Sequence, residues 1–404
     1  MKKYFKLFEE CFIVNGIENY AVYNVLTSNI YNLDLSEGEF CALTENNIDV
    51  EEASEKSGLS KQDTNMFIKK MVNAGLGMEH DFPVSSDKFN LLPAWIDKIF
   101  FKQAQTINKA TLSLDFKCSE KCDFCGNPDY CNRYKCLSCN GINNEPATDG
   151  TVFKILDLLA ARDCKELYLK NGDLFSDWQR ALKIIDYALS VGIEKIKINV
   201  VHPIEDAQII NDMKSRNISL IYQCYLKDSN QIDTSFEKIR FLSDLNVTYF
   251  LLVKFEQKEL AMAMAKKMLS TYPACSILVD FIVSSDKDCV PEEYFQIERT
   301  LGKVNFVNFS IRQSRNECFF KSIYFDRNGN VYPCAGLTNE KIGEINSVKD
   351  TFRFKNLSKF YEMALCNKEK CTECELRYAC NNCEALNYTF TNTYSENILC
   401  AKSK

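Results

Sequence analysis

Residues 111 to 125 decide the fold, and they read TLSLDFKCSEKCDFC. Thr111–Phe116 is a strand candidate that leads directly into Cys118, Cys122 and Cys125, a CxxxCxxC pattern with the aromatic Phe124 before its last cysteine. Three thiolates on one loop can hold three irons of a 4Fe–4S cube. The fourth iron then stays open to a small chelating molecule, whereas a structural zinc site needs a fourth protein ligand.

Strand-like and helix-like segments alternate from residue 109 to residue 311. After the first strand, further strands are predicted at Glu166–Leu169, Lys195–Val201, Ser219–Cys224, Tyr249–Val253, Ile277–Val283 and Val304–Ile311. Amphipathic helices are predicted between them, for example Val152–Ala161, Trp178–Ser190 and Phe236–Leu242. Repeated β–α units predict an α/β fold with a parallel sheet and right-handed crossovers. Six or seven units indicate an open, partial barrel with its chemistry at the carboxyl ends of the strands.

The cysteine motif and its place after the first strand resemble the radical S-adenosylmethionine (SAM) superfamily. The resemblance implies a partial (β/α)6 barrel over residues 109–311, with Cys118, Cys122 and Cys125 binding a 4Fe–4S cluster. It also implies SAM as cofactor, a 5′-deoxyadenosyl radical that abstracts a substrate hydrogen, and an electron donor such as flavodoxin or ferredoxin. Phe124 would contact SAM. Asn171-Gly172-Asp173 stands where the family usually has a Gly-Gly-Glu-like stretch, and Asp173 can still accept a hydrogen bond from the SAM ammonium.

Eight of the chain's 20 cysteines lie between Cys318 and Cys400. Their order, with Gly329 in a predicted hairpin turn before Cys334, resembles the SPASM domain of peptide- and protein-modifying radical SAM enzymes, over residues 312–404. That resemblance implies two auxiliary 4Fe–4S clusters. The first would use Cys318, Cys334 and Cys383, and the second Cys371, Cys374, Cys380 and Cys400. Two residues separate Cys380 from Cys383 where the family usually has three.

Several metal assignments stay open at this level. The fourth position of the first auxiliary cluster is open, or is filled by Cys366 or another group. Structural zinc is an alternative for the tail, because zinc and iron–sulfur clusters use similar CxxC spacings. Cys131, Cys136 and Cys139 lie outside both family motifs and form either an extra metal site or a set of free thiols near the SAM site.

Residues 1–85 are predicted to form a separate small domain, joined to the barrel by a linker over 86–108. Strands at Cys11–Val14, Ala21–Leu26 and Asn29–Leu33 are followed by helices at Glu37–Thr44, 49–57 and 61–74, with Ser36 as the first N-cap. This is a winged-helix pattern. Residues 1–90 hold 8 Lys/Arg and 15 Asp/Glu, which disfavours DNA and favours peptide binding at a sheet edge. Together with the barrel, the domain resembles a PqqD-like RiPP recognition element, with leader binding expected at Asn29–Leu33 and Lys61–Ala74.

Composition excludes several classes of function. The net charge of 49 − 55 = −6 disfavours general nucleic-acid binding. Only two histidines, His80 and His202, make histidine-rich metal sites and Ser-His-Asp catalysis improbable. No apolar run reaches the roughly 18 residues of a membrane span. No signal-type segment begins the chain, so a cytoplasmic location is expected, where clustered cysteines serve metals rather than disulfides.

The favoured hypothesis is a radical SAM enzyme that modifies a ribosomally made precursor peptide in a leader-dependent way. A thioether cross-link is favoured over a carbon–carbon bond. Epimerisation would need a hydrogen donor, for which Cys224 is a candidate, although a core position explains that residue better. The alternatives are a maturase of a folded protein such as a sulfatase, and a non-catalytic peptide-binding partner that holds clusters or zinc.

Overall fold

The computed structural model describes residues 2–85, 87–89, 106–120, 122–139, 145–202, 204, 206–240, 245–296, 301–347, 354–395 and 397–400. Most of the predicted linker at 86–108 therefore lies outside the described residues, as does Lys121 of the cysteine loop. In the part of the chain that is described, no helix is long and apolar enough to cross a membrane.

The N-terminal unit combines two antiparallel sheets with three helices. Its strands are β1 (Tyr4–Leu7), β2 (Cys11–Asn15), β3 (Tyr20–Asn24), β4 (Asn29–Leu33) and β5 (Gly77–His80), and its helices are α1 (Leu35–Glu45), α2 (Val50–Ser57) and α3 (Lys61–Asn73). β2, β3 and β4 form one sheet in that order, while β1 pairs with β5. Apolar residues of β1 and of all three helices pack into one core, which holds the unit together.

Helix α1 begins two residues earlier than the N-cap prediction at Ser36. Asp34 is the N-cap: its carboxylate accepts from the backbone N–H of Glu37, and the Glu37 carboxylate accepts from the N–H of Asp34. This reciprocal pair is a capping box, which satisfies two helix-end donors at once. The helix therefore starts at Leu35, immediately after β4.

Six parallel strands form the partial barrel, which confirms the predicted α/β class. They pair in chain order β6, β8, β9, β10, β11 and β12, and their bounds are Lys109–Ser113, Glu166–Lys170, Lys195–Val200, Ser219–Tyr225, Asn246–Lys254 and Ser276–Ser284. The helices that alternate with them are α4 (Asp149–Ala161), α5 (Trp178–Ser190), α6 (Ala207–Ser215), α7 (Gln231–Arg240) and α8 (Lys258–Thr271). β12 pairs with the short antiparallel β7 (Tyr130–Cys131) and β6 with a later strand, so the barrel is open.

Alternate residues of each strand face opposite layers. On β10, Leu220, Tyr222 and Cys224 belong to the core shared with the helices. Ile221 instead joins an inner cluster that includes Phe124 and Phe250. This period of two is the expected behaviour of a strand buried on both faces, and it decides which polar side chains reach the barrel interior.

The C-terminal segment extends the barrel sheet beyond β6. β13 (Ser322–Phe325) pairs parallel with β6 and antiparallel with β14 (Asn330–Tyr332), and β15 (Gly343–Glu344) completes the edge. Gly329 takes φ +79° in the β13–β14 turn, as the hairpin prediction requires. Short helices flank the hairpin in the chain. The helices before it are α9 (Glu292–Gln296) and α10 (Phe306–Arg312), and those after it are α11 (Phe354–Tyr361), α12 (Glu369–Thr372) and α13 (Glu384–Thr391).

The strand prediction at Val304–Ile311 is wrong, because this segment forms helix α10. Asn305 caps the helix by accepting from the N–H of Asn308 at 3.0 Å. Phe309 packs with Tyr23 of β3 and with Tyr378, at ring centroid distances of 5.3 and 5.0 Å. The apolar run therefore serves as an interface between the N-terminal sheet and the C-terminal segment.

A buried ion pair fixes the end of the chain around Cys383. Lys368 Nζ lies 2.6 Å from Glu384 Oε2, and the two side chains are 6% and 1% exposed. We expect Glu384→Ala to lower the free energy of unfolding by about 3–5 kcal/mol, because it removes the carboxylate that balances the charge of a buried ammonium. Breaking the exposed Lys56–Glu52 pair with Lys56→Ala should cost less than about 1 kcal/mol. Anaerobic urea unfolding measures both, and equal losses would contradict this account.

Candidate functional site

The three cysteines of the CxxxCxxC loop lie at the carboxyl end of the first barrel strand. Beyond β6, the backbone stays paired with the next strand: Leu114 donates to the carbonyl of Lys170 at 2.9 Å and Phe116 to that of Asn171 at 3.3 Å. The chain then enters the loop that carries Cys118, Cys122 and Cys125, where Cys125 N–H donates to the Cys122 carbonyl at 3.1 Å. Strand ends of this kind are where α/β barrels place their chemistry.

The Asn171-Gly172-Asp173 segment follows β8 directly beside this loop. Gly172 has φ +79°, and a Cβ there would collide with the carbonyl of Phe116. The position therefore requires glycine on two grounds. The Asn171 side chain is buried and donates to Ser113 Oγ, so it braces the strand ends rather than facing the cysteine loop.

Asp173 lies at a polar rim beside Cys118. Its Oδ2 is 3.9 Å from His202 Nε2, and Glu120 Oε1 lies 3.2 Å from His202 Nδ1. Burial raises the pKa of the Asp173 carboxyl, and the N–H of Phe175 and the histidine oppose that shift. Its carboxylate is placed to accept a hydrogen bond from a cationic amino group that enters next to the loop.

Phe124 turns into the barrel. It is buried in the inner apolar cluster, with its ring centroid 5.1 Å from that of Tyr225 in an edge-on arrangement. The adjacent Asp123 accepts from Tyr225 Oη at 3.3 Å. The loop is thus tied to the end of β10 by an aromatic contact and a hydrogen bond.

The segment that follows, residues 130 to 139, lies across the barrel interior and is held there by inward-facing side chains of four strands. Its partners are Tyr168 and Lys170 on β8, Asn199 on β9, Gln223 on β10 and Asp280 on β12. Asp280 alone accepts from the Asn132 amide and from the N–H groups of Arg133 and Tyr134. We call residues 130 to 139 the barrel loop.

Lys170 is fully buried under the barrel loop. Its Nζ donates to the carbonyls of Lys135 at 3.0 Å and Cys136 at 3.3 Å. Burial lowers the pKa of Lys170 to about 8, while the nearby thiols of Cys136, Cys139 and Cys334 act in the opposite direction. A buried amino group of this kind favours negative charge in its surroundings.

Cys131, Cys136 and Cys139 are not brought together by the structure. Cys131 pairs with Val283 and packs in a separate apolar cluster. Cys139 Sγ accepts from Gly172 N–H at 3.4 Å and lies close enough to Cys118 and Cys122 to raise the pKa of both thiols, after the larger effect of burial. Cys136 turns the opposite way, towards the C-terminal segment.

Cys136 meets the three cysteines predicted for the first auxiliary cluster. Cys136, Cys318 and Cys383 line one cavity of about 310 Å³. Burial raises the pKa of Cys136, Cys334 and Cys383 to about 12 each, and neighbouring thiols within this set, including Cys318, add to the shift. Thiolates placed close together repel one another, and a bound metal cation relieves this repulsion.

The four cysteines predicted for the second auxiliary cluster line another cavity, of about 370 Å³. They are Cys371, Cys374, Cys380 and Cys400. Ile17 and Glu18, in the β2–β3 turn, also line it. The N-terminal unit is docked at this point: Ile17 N–H donates to the Glu373 carbonyl at 3.0 Å, and Tyr23 Oη donates to that of Glu375 at 2.7 Å.

Cys224 does not face the barrel interior. It lies in the helix-facing core of β10 together with Leu220 and Tyr222. This is the core position that the sequence favoured over a hydrogen donor.

Among the described residues, no three Cys, His, Asp or Glu side chains form a group that could hold a single metal ion. Thiolates are ligands that zinc and iron–sulfur clusters share.

The polar residues that hold the barrel loop were not identified from the sequence. Gln223 and Asp280 each interrupt a run of apolar residues, and Asn199 lies between Ile198 and Val200 near the end of β9. A polar side chain buried in the middle of such a strand must find a partner, so its presence signals a built interior site. That signal was available before the structure.

No family model matches the chain, and no curated protein matches its sequence. Among solved structures, anSMEcpe with bound AdoMet aligns over 73% of this chain and 91% of that chain, at 11% identity and a TM-score of 0.50. The same protein with AdoMet and the Cp18Cys peptide aligns over 73% and 94%, at 9% identity and 0.50. Streptococcus suis SuiB aligns over 98% and 99%, at 12% identity and 0.45. At such identities, the first two show a shared fold.

Proposed function

We propose that this chain is a radical SAM enzyme that modifies a ribosomally made precursor peptide. The observation that carries the proposal is the CxxxCxxC loop at the carboxyl end of the first strand of an open six-stranded parallel barrel. The shared fold with a protein solved with AdoMet bound supports it.

When bound, a reduced 4Fe–4S cluster at Cys118, Cys122 and Cys125 together with SAM supplies a 5′-deoxyadenosyl radical for hydrogen abstraction. The residues around it have separate tasks. Asp173, at the polar rim, would accept a hydrogen bond from the SAM ammonium. The rings of Phe124 and Tyr225 would help exclude water from the site. Gly172 keeps the strand ends close enough for both groups to face one site.

The C-terminal segment acts as an auxiliary-cluster domain of the SPASM type. Cys318, Cys380 and Cys383 line one cavity, and Cys371, Cys374, Cys380 and Cys400 line another. Such a domain provides a place for the electron released when a thioether forms. An external donor such as flavodoxin or ferredoxin, in the cytoplasm, would reduce the SAM-binding cluster.

The N-terminal unit acts as the leader-binding domain. β4 pairs only with β3 among the described strands, so its other edge is available for an added strand. On α3, exposed Met66 and Lys70 share a face, and Lys70 lies 3.3 Å from Glu37 at the start of α1, next to β4. Because residues four apart lie on the same helix face, a leader strand along β4 would contact them.

Co-expression with a candidate precursor peptide, a leader followed by a cysteine-containing core, tests the proposed reaction. A thioether joins a carbon and a cysteine sulfur, so we expect the peptide to lose two hydrogen atoms in mass and one alkylatable thiol. A mass loss without thiol loss would indicate a carbon–carbon bond. An unchanged precursor together with oxidation of a folded protein would favour the alternative maturase, and SAM left intact would favour a non-catalytic partner.

We expect Met66→Asp to weaken leader binding at least tenfold, because it places a charge in the apolar contact beside β4. Val72→Asp is the matched control, since Val72 is also an exposed apolar residue of α3 but lies on another face. Fluorescence anisotropy with a labelled synthetic leader measures both affinities. Equal effects of the two substitutions would contradict the assigned surface.

A further inference from the structure

We propose that Cys136 is the fourth ligand of the first auxiliary cluster, so that Cys136, Cys318, Cys334 and Cys383 enclose one 4Fe–4S cluster with no open iron. The inference rests on the iron–sulfur character proposed above but not on SAM cleavage. It assigns a ligand from the barrel loop to a site whose other ligands come from the C-terminal segment. With four protein ligands, the cluster has no open iron to which a substrate thiolate could bind.

The four cysteines are held around one point by close contacts between three segments. Gly336 lies where these segments meet: a Cβ there would approach Ala385 Cβ to 2.7 Å, Cys334 Sγ to 3.5 Å and Lys135 Cβ to 4.0 Å. The Gly336 N–H donates to Cys334 Sγ at 3.1 Å. A side chain at position 336 would collide with Ala385, two residues after Cys383.

Two further contacts bring Cys383 and Cys136 to this point. Cys383 Sγ lies 3.3 Å from the carbonyl oxygen of Arg133, three residues before Cys136. Cys136 itself packs against the cluster of Tyr324, Tyr332 and Ala335, the last of which follows Cys334. The thiols of Cys136, Cys318 and Cys383 open into the same cavity of about 310 Å³.

The surroundings of the cavity are cationic. Arg133, Arg312, Arg315 and Arg377 line it, against the single carboxylate of Glu317. Lys170, fully buried, approaches from the barrel side and donates to the carbonyl of Cys136. Four thiolates around an iron–sulfur cube carry net negative charge, which such an environment stabilises.

Cys366 is a poorer fourth ligand. Its thiol lies 3.1 Å from the carbonyl oxygen of Gln313, and the charged side chains that act on it are Arg377 and Arg315 rather than any of the four thiols. The cavity wall at this position is formed by the neighbouring Leu365. The barrel loop therefore supplies the better placed sulfur.

The pair Cys136-x2-Cys139 then acts as a link between two cluster sites. Cys139 lies beside Cys118 and Cys122, while Cys136 belongs to the auxiliary site. Asp280 and Lys170 hold the barrel loop in place between the barrel wall and the C-terminal segment. The two cysteine sites are therefore held at a constant separation. A closed cluster at this place suits electron transfer to and from the barrel.

The test uses the full chain with Cys118, Cys122 and Cys125 replaced by alanine, so that only the auxiliary clusters remain. After anaerobic reconstitution, this parent should hold about eight irons per chain, the content of two cubes. Adding Cys136→Ala should either reduce the iron to about half or leave a cluster whose EPR spectrum shifts on addition of 2-mercaptoethanol. Cys131→Ala, at a buried cysteine of the same loop, should match the parent in both measurements.

Several outcomes would overturn the proposal. An EPR spectrum of the parent that shifts on addition of 2-mercaptoethanol would mean an open iron with Cys136 in place, and this result needs no folded Cys136 variant. Iron content and spectra of Cys136→Ala equal to those of Cys131→Ala would exclude Cys136 as a ligand. Zinc in place of iron in the parent would overturn this proposal and the cluster assignment together. SAM cleavage by the unmodified protein is measured separately, so failure of the proposed function can be distinguished from failure of the Cys136 assignment.

Discussion

Replacing Cys118, Cys122 and Cys125 with alanine is expected to abolish formation of 5′-deoxyadenosine from SAM, because the loop then has no thiolates for the cluster that SAM chelates. The iron content should fall by about four per chain, the content of one cube, while the auxiliary clusters remain. Anaerobic assays with SAM and dithionite, with iron counted in the same samples, measure both effects.

A matched control separates this effect from general damage to the fold. Cys164→Ala removes a buried cysteine of the barrel core that lies just before β8 and away from the cysteine loops. It should keep SAM cleavage and full iron content. Retention of cleavage in the triple variant, or equal losses in both variants, would contradict the assignment of the SAM-binding cluster.

Asp280→Ala is expected to destabilise the protein more than any other single substitution discussed here. It removes the acceptor of the buried Asn132 amide and of the part-buried N–H groups of Arg133 and Tyr134. A donor that loses its acceptor in such a setting costs about 1–3 kcal/mol, so the free energy of unfolding should fall by on the order of 5 kcal/mol. The barrel loop would lose its anchor on β12, and the iron of the first auxiliary site should fall with it.

Asp288→Ala provides the comparison for this substitution. Asp288 is exposed on the turn after β12 and is expected to change stability by less than about 0.5 kcal/mol. Anaerobic urea unfolding and an iron count on both variants give the result. A loss below about 1 kcal/mol for Asp280→Ala would show that the barrel loop does not depend on this carboxylate.

Sequence reasoning predicted the barrel well because its strands are local features. Segments such as Lys195–Val200 and Ser219–Tyr225 are short apolar runs between amphipathic helices, and this alternation leaves few other arrangements. The exception is Val304–Ile311, whose apolar residues resemble a strand. The N-cap at Asn305 and the contact with the N-terminal sheet favour a helix there. That contact joins segments far apart in the chain, so no local sequence pattern indicates it.

The spacing of the cysteines in the sequence does not by itself predict which of them share a metal site. Cys131, Cys136 and Cys139 are neighbours in the sequence, yet strand pairing with Val283 takes Cys131 away. Cys136 meets Cys318, almost two hundred residues later, only because β13 pairs with β6 and brings the hairpin beside the barrel. Motif spacing groups residues on one loop, whereas the chain assembles this site from segments that are far apart in the sequence.

The measurement that tests the central claim most directly is 5′-deoxyadenosine formation by the unmodified protein. It would be reconstituted anaerobically with iron and sulfide and given SAM, dithionite and the precursor peptide, with iron and zinc counted in the same sample. The account predicts deoxyadenosine together with roughly twelve irons per chain, the content of three cubes. Zinc in place of iron and SAM left intact in the presence of the peptide would contradict it.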